Sequence, residues 1–259
     1  MKKRQEIMGG KERGDVFERF RESFNKMEGH FHILEQRVPV ELQMEYFKYS
    51  GRMRRNNILM TEENFNTYKQ NLSDSEATTD TKRHALSALA VSNEVRAYRV
   101  LEEYIQHPEP SVTNWAYMAL MESRISLESE LSEEKQIYIS TGLGGKGEKL
   151  RFYALFLASE NKCFELYQRK VIEREFVYYL TKENCEIERL IIKDVYVELL
   201  FLISVHIDLK AVLDNMVTEC NQYGNFLSGV FTITNVKELS AEEITEIIEK
   251  KYGGNKTGN

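Results

Sequence analysis

The chain has 259 residues, and 42% of them are hydrophobic, which is enough to form one large folded core or two ordinary ones. The formal net charge of −6 disfavours attraction of the whole molecule to nucleic acid or to an anionic membrane surface. The three cysteines, Cys163, Cys185 and Cys220, lack C-x-x-C spacing, which argues against a disulfide framework and against a zinc finger. We expect reduced, buried and inert thiols.

The chain carries no recognisable signal for secretion or for the membrane. Its basic start, residues 1–4, is followed by polar residues rather than by an apolar run with a cleavage site. The longest apolar stretch, residues 199–205, is too short to span a bilayer. These features predict a cytoplasmic protein that does not enter the membrane.

The first part of the chain has the spacing of amphipathic helices. Residues 1–14 read as a flexible basic arm, and an apolar stripe predicts a helix from about Asp15 to Glu28. A second helix is predicted from Val40 to Tyr49, with its end at Gly51. A third helix, residues 61–71, begins at an imperfect capping box.

Residues 80–124 contain one helical pattern twice. Two alanines and a leucine recur after thirty-one residues, so that Ala85, Ala88 and Leu89 align with Ala116, Ala119 and Leu120. A repeat of this length is typical of stacked helix pairs, because a single pair cannot bury its own apolar face. Small alanines at matched positions would let the helices approach closely.

The A-x-x-A-L pattern, together with the turn at Pro108 to Pro110, resembles a short HEAT-like repeat. The resemblance implies an α-helical array whose second helices line a binding surface. Arg96, Arg99 and Glu103 share the polar face of such a helix, and we interpret them as partner-binding residues.

After residue 131 the pattern changes to short β-branched and aromatic runs. Two strands, residues 135–141 and 149–158, are predicted on either side of a glycine loop. The elements that follow are predicted as helix, two strands, helix, strand and helix, at residues 163–182, 187–193, 196–205, 208–223, 229–236 and 240–251. The inner portion has the β-α-β-β-α-β order of a ferredoxin-like unit. An alternative stays open, in which residues 149–182 form a third helical repeat.

The predicted fold class is therefore α+β, with an N-terminal HEAT-like array and a ferredoxin-like domain after it. The domain boundaries are an arm at 1–14, a helical domain at 15–131, an α+β domain at 132–252 and a disordered tail at 253–259.

The glycine loop could hold an anion. Its amides and nearby cations form a candidate ligand site made of Gly144, Gly145, Lys146, Gly147, Lys149 and Arg151. The spacing matches neither a P-loop nor a dinucleotide fingerprint, so a plain hairpin loop is the competing interpretation.

Positive charge is otherwise concentrated in the arm and in a cluster of Arg52, Arg54 and Arg55, which could contact phosphates or an acidic partner. His30 and His32 lack supporting ligands, so we predict no metal and no cofactor. We also find no matched nucleophile, base and acid.

The most consistent function is a non-catalytic scaffold or adaptor that binds another protein or a peptide. The alternatives are a small anionic-ligand sensor and an accessory subunit of an enzyme complex. Nucleic acid is disfavoured as a partner, and the oligomeric state is open.

Overall fold

A computed structural model describes residues 30–56, 59–132 and 136–253. The predicted arm, the helix expected at residues 15–28 and most of the predicted tail lie outside these residues. The described chain divides into two compact units, which meet in sequence between Gly144 and Gly145. The class is mixed helix and sheet, so the predicted α+β class is confirmed at that level.

The first unit is a bundle of helices with a small sheet. Its helices are α1 (Val40–Arg55), α2 (Glu62–Ser73), α3 (Thr79–Val91), α4 (Val95–Tyr104) and α5 (Thr113–Leu131). The α1 helix continues through Gly51, which was predicted to end it, because a single glycine weakens a helix interior without breaking it. The Thr61 hydroxyl accepts the amide of Asn64 and begins α2 as the sequence predicts.

The core of the helical unit is built around α3, which packs against the other four helices. The four recurring alanines, Ala85, Ala88, Ala116 and Ala119, are all buried, and all but Ala88 belong to this core cluster. The buried Trp115 of α5 donates its indole N–H to the hydroxyl of Ser87 on α3, at 2.9 Å. Small residues thus let α3 and α5 pack closely while one large ring fills the space beside them.

We expect Ala119→Leu to destabilise this core by about 1 to 3 kcal/mol, since a fully buried alanine leaves no room for three further carbons. Thermal and urea unfolding of the variant measure this cost. An unchanged melting temperature would mean that Ala119 does not lie at a tight helix contact.

The two short strands of this unit correct the predicted hairpin. Strand β1 (His30–Ile33) pairs in parallel with β2 (Gln136–Ile139), with Ile33 opposite Ile139. The β2 strand was predicted to pair across the glycine loop with the strand at 149–158, and that pairing is wrong. Its partner lies over a hundred residues earlier, which a local pattern of apolar residues does not reveal.

The second unit is an antiparallel sheet with helices. Its elements are β3 (Gly145–Lys146), β4 (Lys149–Ala158), α6 (Leu166–Lys182), β5 (Glu186–Ile192), β6 (Tyr196–Ser204), α7 (Leu209–Asn221), β7 (Leu227–Thr234) and α8 (Ala241–Tyr252). Residues 149–182 are therefore strand and helix, and a third helical repeat is excluded there. The four long strands lie in the order β5-β6-β4-β7.

The two faces of this sheet differ in what they carry. The ring centroid of Phe156 on β4 lies 5.0 Å from that of Phe176 on α6 and 5.2 Å from that of Phe231 on β7. These contacts identify the face of the sheet that α6 covers. Because side chains alternate along a strand, Tyr153 points to the other face. That second face carries most of the charged side chains of the sheet, as described below.

Within the residues that the structure describes, no helix has the length and apolar character needed to cross a membrane.

Candidate functional site

The glycine loop that was predicted to bind an anion is a tight turn. Gly144 has a φ of +67°, and a Cβ there would lie 2.5 Å from the carbonyl oxygen of Glu35. Gly145 and Lys146 form β3 and pair with Leu150 and Lys149, so that Gly147, at a φ of +56°, lies in a two-residue turn. Gly145 and Lys146 belong to the antiparallel pairing of β3 with β4. Gly144 and Gly147 have positive φ values, which glycine adopts without steric strain.

The cations of this candidate site face carboxylates. Lys146 and Lys149 contact Glu186 at 2.9 and 3.0 Å, and Arg151 contacts Glu188 at 2.5 Å. Hydrogen bonds from the two lysines lower the pKa of Glu186. Both carboxylates come from β5, on the far side of β6, so sequence spacing could not reveal them. The anion site stays a prediction, and an anion would have to compete with Glu186 and Glu188.

The predicted partner-binding residues lie together on α4. Arg96 pairs with Glu62 and Glu94 and lies over the ring of Phe65, at 4.5 Å from its centroid. Arg99 is well exposed and pairs with Glu102 at 2.6 Å. Glu103 is exposed on the same helix. Their role as a docking face stays a prediction.

A polar cluster that the sequence did not reveal lies on the second face of the sheet. The hydroxyl of the buried Tyr153 donates to Glu198 of β6 at 2.9 Å. Burial, and then the bond to Glu198, raises the pKa of Tyr153, so this hydroxyl stays protonated. Arg189 of β5 pairs with Glu238, and the hydrogen bond that it donates to that carboxylate raises the pKa of the guanidinium. The ion pair and the hydrogen bond therefore hold these side chains in place on this face.

A second surface that the sequence analysis missed runs along α6. Two tyrosines and three cations follow one another at helical spacing, namely Tyr167, Lys170, Arg174, Tyr178 and Lys182, and we call this set the tyrosine stripe. Residues separated by three or four positions lie on one side of a helix, so the set forms a continuous line. The signal was present in the sequence as aromatic residues on the polar side of an amphipathic helix, where core packing does not explain them.

The tyrosine rings of this surface are open to solvent. Tyr167 is 48% exposed, Tyr178 57%, and Tyr223, which follows the end of α7, 49%. Large aromatic side chains usually bury most of their area, so three half-exposed rings in one unit need an explanation. A Cβ added at Gly224 would lie 3.4 Å from the Tyr167 hydroxyl, which places Tyr223 and its neighbour beside the start of the stripe.

Positive charge accompanies these rings. The guanidinium of Arg174 lies 5.4 Å from the centroid of the Tyr223 ring, and the ammonium of Lys182 lies 5.8 Å from that of Tyr179. Arg174 also contacts Glu175 at 2.8 Å. Lys170 and Lys182 form no ion pair with any residue that the structure describes. The α6 sequence has four cations, Arg169, Lys170, Arg174 and Lys182, against two carboxylates, Glu173 and Glu175, although the whole chain is acidic.

Two of the three cysteines are buried, as the sequence predicts. Burial raises the pKa of Cys185 to about 11 and that of Cys220 to about 12, so both remain protonated thiols at neutral pH. Cys163 was expected to be buried as well, and it is exposed, because it lies in the loop before α6 rather than in the helix predicted from that residue. Within the described residues no three His, Cys, Asp or Glu side chains converge as a metal site.

Comparison with known proteins gives structural neighbours only. No protein-family model matches the chain, and no curated protein matches it. One similar solved structure is a candidate transposase from Deinococcus radiodurans R1, at 16% identity and a TM-score of 0.33, covering 42% of this chain and 95% of that one. Another is a REP-associated tyrosine transposase bound to a REP hairpin, at 13% identity and a TM-score of 0.30, covering 47% of this chain and 74% of that one.

These comparisons contradict the HEAT-like resemblance, since the similar structures are transposases and no HEAT-like repeat is indicated. The alanine recurrence has a simpler physical cause. The helices α3 and α5 are neighbours in one bundle, and each needs small residues where the two pack together.

The same comparisons contradict the predicted protein-binding scaffold and the prediction that nucleic acid is disfavoured as a partner. The net charge of −6 is a sum over the whole chain, whereas binding depends on the local field of one surface, so it does not exclude a nucleic-acid partner. Both TM-scores are below 0.5, so the function of this chain has to be argued from its own side chains.

Proposed function

We propose that this protein binds single-stranded nucleic acid through the tyrosine stripe of α6. The observation that carries the proposal is that half-exposed tyrosines lie together with lysine and arginine along one side of a helix. Proteins that bind single strands combine aromatic rings, on which bases stack, with cations that follow the phosphates. The tyrosine stripe offers both at a spacing that one strand can follow.

The dimensions of the stripe suit a short stretch of strand. From Tyr167 to Lys182 the helix rises about 22 Å, at roughly 1.5 Å per residue. Site sizes for single strands begin at about 4 nucleotides, which a surface of this length can accommodate. Bases in a duplex present no free faces to tyrosine rings, so we expect a preference for single strands over duplex.

We also propose a ferredoxin-like topology for the second unit, and the order of its elements supports this. The chain runs through β4, α6, β5, β6, α7 and β7, and the sheet order is β5-β6-β4-β7. In this arrangement α6 packs its apolar side, including Phe176, on the sheet and turns its polar side outward. The tyrosine stripe is therefore held on a rigid support, which limits the entropy lost when a strand binds.

The test is fluorescence anisotropy with a labelled single-stranded oligonucleotide, its duplex and a hairpin with a single-stranded flank. We expect Tyr178→Ala to weaken single-strand binding by about 1 to 3 kcal/mol, which is the stacking energy of one base. Tyr178→Phe is the matched control, since phenylalanine keeps the stacking ring and loses only the hydroxyl. The same comparison applies at Tyr167.

Two results would count against the proposal. One is the absence of binding to any of the three probes at low salt by the folded protein. The other is equal affinity for wild type, Tyr178→Ala and Tyr178→Phe, because a stacking platform must distinguish the ring from a methyl group. Circular dichroism of each variant verifies that the fold is retained.

A further inference from the structure

The cluster of arginines at the end of α1 divides into an inward and an outward part. Arg54 points to α5, where it contacts Glu122 at 3.0 Å and donates to the hydroxyl of Ser126 at 2.8 Å. Glu122 is almost fully buried and also accepts a hydrogen bond from Tyr46 at 2.7 Å. Arg54 is therefore the structural counter-charge of a buried carboxylate, although its side chain is 45% exposed.

The outward part is a line of three cations. Lys48, Arg52 and Arg55 are exposed and lie at positions i, i+4 and i+7, and we call them the α1 basic stripe. None of the three forms an ion pair with any residue that the structure describes. In the same unit Arg83, Arg96 and Arg99 each pair with a carboxylate, at Glu45, Glu62 and Glu102 respectively. Among the described residues Lys69 of α2 also lacks an ion pair, but Lys48, Arg52 and Arg55 are grouped on one side of a single helix.

Local acidic residues do not cancel this charge. Glu45 lies three positions before Lys48, but it contacts Arg83 at 3.3 Å. The helix dipole accounts for positive residues in the last turn, where Arg52 and Arg55 lie. It does not account for Lys48, which lies about two turns before the helix end and outside the range of that effect.

We infer that the α1 basic stripe is a second contact for the nucleic-acid backbone, and the choice of nucleic acid as its partner rests on the function proposed above. The argument is charge complementarity, since three uncompensated cations over roughly 10 Å of helix match a polyanion and match no group of this chain that the structure describes. Tyr49, whose ring lies 5.6 Å from the Arg52 guanidinium, shares a hydrogen bond with His84 and is only partly exposed. The exposed Phe47 lies beside Arg54 and outside the stripe. The contact therefore carries phosphates and not bases, and it adds affinity without sequence preference.

The experiment measures how binding depends on salt in the full chain. The probe is a labelled single-stranded oligonucleotide, and the variant is Arg52→Gln/Arg55→Gln. The matched control is Lys69→Gln/Lys250→Gln, which removes the same charge from exposed positions on α2 and α8. A plot of log K against log salt should become shallower by about 1.4 for the α1 variant, since each lost phosphate contact removes about 0.7 from the slope. The control should keep the wild-type slope.

The Tyr178→Ala variant, measured in parallel, separates this inference from the proposed function. If Tyr178→Ala weakens binding while the α1 variant has the wild-type slope, the α1 basic stripe is not a contact and the inference is wrong. If the control and the α1 variant lose slope equally, the effect is one of net charge, and the inference is again wrong. If the α1 variant alone becomes shallower and Tyr178→Ala has no effect, the inference holds and the tyrosine stripe fails.

Discussion

Replacing Glu109 with alanine should destabilise the protein by about 3 kcal/mol, since it leaves the Lys82 ammonium buried without a counter-charge. The Lys82 side chain is fully buried in α3, and it pairs with Glu109 from the turn before α5. Removing one partner of a buried pair costs about 3 to 5 kcal/mol. We expect the lower end, because Glu109 is 42% exposed and water can reach the vacated position.

The matched variant is Lys82→Met, which replaces the cation by an apolar side chain of similar length. It should unfold at about the wild-type denaturant concentration or slightly above it, because the desolvation cost of the charge disappears with the pair. The double variant, Lys82→Met with Glu109→Ala, should recover most of the loss, with a coupling energy near 3 kcal/mol in a double-mutant cycle. Urea unfolding followed by circular dichroism measures all four proteins. Equal losses in Glu109→Ala and in the double variant would show that the cost does not come from the unpaired ammonium.

Replacing Gly144 with alanine should also cost about 3 kcal/mol of unfolding free energy, from two sources. A residue other than glycine at φ +67° is strained by roughly 1 to 2 kcal/mol. The new methyl group would also lie 2.5 Å from the Glu35 carbonyl oxygen and 2.6 Å from that of Gln36, where backbone has to move.

Gly147→Ala is the control for this prediction, since it isolates the conformational strain. Gly147 has a φ of +56°, but a Cβ there meets no atom within 4 Å. Its replacement should therefore cost only about 1 kcal/mol. Urea unfolding of both variants tests the difference. If the two substitutions have equal effects, Gly144 is not required by close backbone approach, and the interpretation of this loop as an anion site gains support.

Features that depend on neighbours in sequence were predictable. The capping box at Ser240 is present, with the Ser240 hydroxyl accepting the Glu243 amide and the Glu243 carboxylate accepting the Ser240 amide. Asp208 begins α7 by accepting the amide of Ala211 at 3.0 Å. The strand patterns at β4, β6 and β7 agree with the observed strands to within two residues. Each of these signals is read over three or four positions, so no tertiary information is needed.

Features that depend on distant residues were not predictable. The glycine loop was interpreted as a possible anion site because Lys146, Lys149 and Arg151 lie close together in sequence. Their compensating carboxylates, Glu186 and Glu188, are on another strand about forty positions later. The arginine cluster shows the same limit of the sequence, since only the fold distinguishes Arg54, which is bound to Glu122, from its outward neighbours.

The sequence by itself determined that this protein has a helical first half and an alternating strand and helix second half, because apolar periodicity and caps act over one or two turns. The tertiary structure alone decided which strand pairs with which, which charges are compensated and which tyrosines stay exposed. These properties depend on side chains that folding brings together from remote positions. The tyrosine stripe and the α1 basic stripe could thus be recognised only after the residues packed around each helix were known.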